Sequence, residues 1–343
     1  MTINPVLVEV TRGGIVESAH RGSIAVIDAD GRVALAIGDI DRPVFPRSAV
    51  KVLQALPLVE SGAADCLGLT DDELALACAS HGGEAVHVRA VASMLAKAGL
   101  DATVLECGAH WPYDDASARA LAARGEHPSA LHNNCSGKHA GFVCLGCLLA
   151  NGGVVREFLR GYVAREHPVM HEVSAAIETV TGWPLAGTAV GVDGCSIPTY
   201  AIPLRHLARA FARIGSGVGL REGHVRAAQR LRAAVAKAPF MVGGAGRFDT
   251  RVMERLGERA FCKGGAEGMH CAAMPTQGLG IAIKIDDGHS RASEAVMAAL
   301  LARWLDPPEP DAAFLRGLAD VRLANWNGIE VGRLRSVESV LSG

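Results

Sequence analysis

The spacing of apolar and polar positions changes character several times along the chain. Residues 23–39, SIAVIDADGRVALAIGD, hold two apolar runs around Asp-Ala-Asp-Gly, which predicts a β-hairpin. After Ser48, VKVLQALPLVE sets Val52, Leu56 and Val59 at helical spacing, and Pro57 is expected to kink or end that helix. Helical patterns dominate residues 71–180, as in DDELALACA and EAVHVRAVASMLAKAG, whose last glycine suits a helix stop. Strand character returns in VGVDGCSIPTYAIPL at 190–204 and, as an antiparallel meander, at 261–288. A final helix is predicted over 290–306. Strands at both chain ends with helices between them predict an α+β fold for a single domain, residues 1–343. Its antiparallel sheet would come from 1–47 with 185–343, and a mainly helical lobe, 48–184, would be inserted.

Composition narrows the function classes. The 343 residues are 49% hydrophobic and 20% charged, and the net charge is −2. That balance gives no footprint for nucleic acid or an anionic membrane. The longest apolar run, AGFVCLGCLLA at 140–150, is too short to span a bilayer. The first residues, MTINPVLVEVTRGG, lack a cationic flank followed by an apolar core, so no secretory signal is expected. Nine cysteines without framework spacing fit a reduced, cytoplasmic protein.

Candidate chemistry begins at PRSAVK, residues 46–51. Lys51 falls in the first helical turn, where a cation opposes the helix dipole, and three residues after a serine, where a capping box takes Glu or Gln. Ser48 and Lys51 share the face that carries Val52 and Leu56, so the pair points inward. A desolvated amine loses its proton readily and can then activate a serine. A capping serine beside a surface lysine is the plainer reading of this tetrapeptide alone. CASHGG at 78–83 adds an exposed Ser80, and CKGGAEG at 262–268 adds Lys263 in a pattern close to Lys-Ser/Thr-Gly, with Gly264 replacing the hydroxyl residue. This order is the layout of penicillin-binding proteins and serine β-lactamases.

Metal-ligand chemistry is offered by NNCSGKHAG and VDGCS. Cys135 and Lys138 lie three apart where a helix should begin, with His139 adjacent, while Asp193 and Cys195 share a glycine loop. Two thiolates from distant segments can hold zinc with an open water position, whereas Cys135 alone reads as a buried, inert thiol. Cys144 and Cys147 sit inside an apolar run and are expected to pack as core residues. His81 and His87, six apart, are not expected to share a helix face.

Taken together, TRGGIVESAHRGS, PRSAVK, CASHGGE, NNCSGKHAG, VDGCSIPT and GAEG resemble the asparaginase II family of rhizobial type, in order and over nearly the whole chain. The resemblance implies a β-lactamase-like fold, a homodimer, and hydrolysis of L-asparagine to L-aspartate and ammonia. By motif it implies two catalytic pairs, Ser48 with Lys51 and Ser80 with Lys263. It also implies one Zn2+ per chain on Cys135, Lys138 and Cys195 with water completing the shell, and substrate contacts from Arg47, His139 and Asp193. The chain departs from the pattern in GAGRFDT, where Asp249 stands in place of a family cysteine. Two other readings remain at this stage: another acyl-serine amidase or peptidase, and a non-catalytic zinc protein.

Overall fold

The computed structural model describes residues 3–338 and 340. Two units can be separated: residues 1–49, 201–219 and 259–343 form a sheet unit, and residues 50–200 and 220–258 form a helical unit. Among the described residues, no helix is long and apolar enough to cross a membrane.

Eight strands make the main sheet: β1 (Val6–Arg12), β2 (Ile15–Asp28), β3 (Val33–Ile37), β4 (Phe261–Gly264), β5 (Met269–Met274), β6 (Leu279–Ile285), β7 (Asp320–Ala324) and β8 (Glu330–Ser336). Their order is β7-β8-β1-β2-β6-β5-β4, with β3 also on β2, and every pairing is antiparallel. The sheet is thus completed by distant chain segments, and the α+β expectation holds. In β2 the run Ile24–Ile27 does not alternate because all four residues are buried, as in a strand covered on both faces. Helices Leu204–Ser216 and Ser290–Leu305 supply cover, both packing on β5 and β6. The chain does not end on the helix at 290–306. Helix Asp311–Ala319 and the hairpin β7–β8 follow, and the charge-rich strands VRLA and EVGRLRS hide their apolar alternation among arginines.

In the helical unit, helix Ser136–Leu149 is central, with every residue from Ser136 to Gly146 buried. Helices Lys51–Glu60, Asp71–Ala77, Ala85–Lys97 and Pro168–Thr181 pack on it. Pro57 does not end helix Lys51–Glu60, which runs through to Glu60, and the Pro57 carbonyl accepts from Ser61 N–H. The unit extends past the expected boundary at 184 because helix Glu222–Lys237 buries Ala227, Leu231 and Val235 against helices Lys51–Glu60 and Asp71–Ala77. Strands Val190–Val192 and Pro198–Tyr200 pair only with each other, in a small hairpin within this unit.

Two glycines give a stability test of opposite sign. A Cβ at Gly280 of β6 would lie 2.0 Å from the Ala208 carbonyl oxygen and 2.4 Å from the Ala212 nitrogen, on the helix that covers the strand. Gly317, in helix Asp311–Ala319, has nothing within 4 Å of that position. Gly280→Ala is expected to cost ~1–3 kcal/mol by overpacking. Gly317→Ala is expected to gain ~0.5–1 kcal/mol from reduced unfolded-chain entropy. Urea midpoints of the two variants check this, and a neutral Gly280→Ala would contradict the packing described.

Candidate active site

Lys51 is the first residue of helix Lys51–Glu60 and follows the 3-10 turn Arg47–Val50; no side chain caps the helix. The residue is fully buried, and its amine reaches three acceptors: the Ala79 carbonyl, Ser80 Oγ at 2.9 Å and Cys135 Sγ at 3.1 Å. Three polar partners around the amine remove the main cost of burying it. Spacing in the sequence pairs Lys51 with Ser48; within the helical unit, Lys51 meets Ser80.

Ser80 follows helix Asp71–Ala77, and its N–H donates to the Val242 carbonyl at 2.9 Å. The neighbouring His81 N–H donates to the Asn134 carbonyl at 3.2 Å, joining this loop to the segment that carries Cys135. The approach is tight: a Cβ on Gly137 would lie 2.4 Å from the Leu76 carbonyl oxygen. Asn133 shapes the turn, accepting the Cys135 N–H at 2.8 Å and donating to the Cys107 carbonyl at 2.8 Å.

Cys135, Lys138 and Cys195 converge as their motifs imply. Lys138 Nζ donates to Cys195 Sγ at 2.9 Å, and Cys195 lies 3.8 Å from Asp193 Oδ2. The hydrogen bond from Cys195 holds the Cys135 thiol well below its ordinary range, assisted by Lys51 and Lys138 and opposed by burial. Cys195 is pushed up by that same hydrogen bond and by burial. Burial acts to lower the Lys138 pKa, but Cys135, Cys195 and Asp193 outweigh it and the net shift is upward. The site is a buried pair of cysteine sulfurs flanked by two lysine amines. Among the described residues, no three His, Cys, Asp or Glu side chains are grouped to hold a metal. A metal here would need a neutral Lys138 as its third donor beside the two sulfurs, which are ligands that zinc takes.

His139 is fully buried. Its Nδ1 lies 2.7 Å from Tyr162 Oη, which accepts the Glu106 N–H at 3.0 Å. Burial, with Lys138 and Lys51 nearby, holds its pKa well below the usual histidine value. Its visible contacts are therefore with the core. Sequence reasoning missed Tyr162, which carries no motif, and misjudged His81. The helix begins at Ala85, so the Gly82–Gly83 turn folds His81 back and the two rings stack with centroids 4.9 Å apart. His81 Nε2 lies 2.9 Å from Ser136 Oγ, and Nδ1 accepts the Gly83 N–H. Burial first, then the His87 and Lys51 charges, lowers its pKa. Asp249 stands in the first turn of helix Phe248–Leu256, where a carboxylate complements the dipole.

The sheet unit carries Arg47, Ser48 and Lys263. Arg47 has φ +50°, a sparsely populated conformation that costs of order 1–3 kcal/mol. It lines a cavity of about 330 Å³ with Arg42, Phe45, Glu267 and Lys284. Lys263 is buried on β4 and donates to the Gly264 carbonyl at 2.7 Å. Gly265 packs on the Ser48 turn, a Cβ there lying 2.8 Å from the Pro46 carbonyl oxygen. The Gly265 N–H is taken by the Met269 carbonyl at 2.8 Å and the Ala49 N–H by the Pro46 carbonyl at 3.1 Å. Those two amides are therefore already engaged.

Similar solved structures include a β-lactamase from Mycobacterium bovis, 15% identical, with a TM-score of 0.42 over 82% of this chain and 94% of that one. A structure of Mglu in its native form is 19% identical, with a TM-score of 0.35 over 80% of this chain and 62% of that one. Mglu in 4.3 M NaCl is 18% identical, with a TM-score of 0.37 over 94% and 70%. No curated protein matches by sequence. The L-asparaginase II family matches residues 8–336. With that match over nearly its whole length, the chain belongs to the L-asparaginase II family and is an amidohydrolase.

Proposed function

We propose that the chain is an L-asparaginase of the EC 3.5.1.1 type, converting L-asparagine and water to L-aspartate and ammonia. Ser48, Lys51, Ser80 and Lys263 are its proposed catalytic residues. The observation that supports this reading is the buried Lys51 amine donating to Ser80 Oγ at 2.9 Å, a lysine–serine contact able to take up and pass on a proton. In the proposed reaction Ser48 attacks the side-chain amide carbon, and Lys51 or the Ser80–Lys263 pair accepts its proton. That proton then passes to the leaving nitrogen, ammonia departs, and water hydrolyses the resulting aspartyl ester to restore the serine. Arg47 and Asp193 are proposed to grip the α-substituents. His139, buried against Tyr162, is better suited to holding the Lys138 turn in place.

Cys135, Lys138 and Cys195 are proposed to hold one zinc ion, which when bound would act as a Lewis acid orienting polar groups of the substrate. The enzyme is proposed to work as a homodimer in the cytoplasm, and sedimentation at several concentrations tests the first half of that statement.

Ser48→Ala is expected to lower kcat for ammonia release from L-asparagine about 10³-fold or more, with an unchanged melting profile. Activity within about tenfold of the parent, from a folded variant, would move the nucleophile to Ser80. Lys51→Met is expected to lower kcat by about 10²–10⁴, the ordinary contribution of a general base.

Metal analysis of the purified protein is expected to find close to one zinc per chain, and Cys135→Ser and Cys195→Ser to lose it while chiefly raising KM. Full zinc in Cys135→Ser would remove that residue from the site. An unchanged KM in the metal-free protein would leave zinc without a role in holding substrate.

A further inference from the structure

Glu84 follows Ser80 by four residues and has no part in the proposed chemistry. Its side chain is only 14% exposed, and among the described residues it pairs with His87 rather than with a lysine or arginine. Oε1 accepts the Ala245 N–H at 2.9 Å, and Oε2 lies 2.8 Å from His87 Nδ1. The far side of that ring, Nε2, lies 3.1 Å from the Phe240 carbonyl, and the ring is stacked between His81 at 4.9 Å and Phe240 at 5.4 Å. Two backbone segments close on the carboxylate: a Cβ at Gly82 would lie 2.4 Å, and one at Gly244 2.3 Å, from its oxygens. Between them, Ser80 N–H is bonded to Val242 at 2.9 Å.

We propose that Glu84 and His87 are positioning residues for Ser80, clamping the Gly82–Gly83 turn behind it to the Phe240–Ala245 segment. The Glu84 carboxylate and the His87 ring each tie one segment to the other, so the Ser80 backbone cannot shift relative to Val242 without breaking both ties. This accounts for glycine at 82, where a side chain would displace the carboxylate; at Gly244 the same approach adds to a φ of +96° that already favours glycine. It also gives the Gly-Ala-Gly-Arg frame at 244–247 a purpose that does not depend on the residue at 249. Misplacing a reacting group by about 1 Å can cost 10²-fold in rate.

The inference rests on the asparaginase reading, so its test has one arm that needs no activity. In the full-length protein, Glu84→Ala is expected to speed backbone amide exchange at 80–84 and 240–246, with other segments unchanged. Unchanged exchange in both segments would overturn the clamp whatever the enzyme does. In the kinetic arm, Glu84→Ala is expected to lower kcat on L-asparagine by about 10–100-fold with KM within about threefold. Glu84→Gln, whose amide oxygen can still accept from Ala245, is expected to recover much of that loss. Gly82→Ala should mimic Glu84→Ala, and the double variant should fall short of the sum of the two losses. A folded Glu84→Ala with kcat within threefold of the parent, or a loss in kcat matched by a loss of folded protein, would overturn the positioning role. Wild-type protein that releases no ammonia would instead overturn the asparaginase reading, leaving the exchange arm to judge the clamp.

Discussion

Burying Lys51 constrains the rest of the helical unit. A lysine placed in an apolar interior without partners would carry a cost of several kcal/mol or lose its charge. Here the amine has three polar partners, and each fixes another part of the chain. The Ala79 carbonyl and Ser80 Oγ set the end of helix Asp71–Ala77, and Cys135 Sγ sets the start of helix Ser136–Leu149. Three elements distant in sequence are thereby registered to one another at a single amine. The same amine helps hold the Cys135 thiol below its ordinary range, as a neighbouring cation does.

Much of this was legible from residue types and spacing, because the rules broken were local. A lysine in a first turn contradicts helix electrostatics, and the contradiction pointed at Lys51 directly. Cys135, Lys138 and Cys195 were legible through their motifs, and the structure brings them together. The α+β architecture followed from strand patterns at both ends of the chain. What escaped were features set by tertiary packing. Pro57 sits inside a helix whose buried faces hold it together despite the missing N–H. The stacking of His81 on His87 depends on a glycine turn that a helical wheel places wrongly. The strands Asp320–Ala324 and Glu330–Ser336 were hidden by arginines that pair with acids on the surface.

Asp249 shows how a departure from a motif can be absorbed. Where the resemblance leads one to expect a cysteine, the chain has a carboxylate, which cannot repeat thiol chemistry but suits the first turn of helix Phe248–Leu256. Of the glycines before it, Gly244 meets the Glu84 carboxylate and has φ +96°, while Gly246 has φ +68° and open space around it. The frame and the residue it carries are therefore under separate constraints.

The most direct test of the account is to look for the covalent intermediate that an activated serine must form. Protein mixed with L-asparagine, quenched in acid within the first turnover and mapped by peptide mass spectrometry should carry an aspartyl ester on Ser48 or Ser80. The account predicts that ester in the parent protein and its absence in Lys51→Met under the same conditions. An aspartyl adduct on Cys135, or rapid ammonia release with no adduct on either serine and chemistry shown to be rate-limiting only after acylation, would contradict a serine nucleophile served by a lysine.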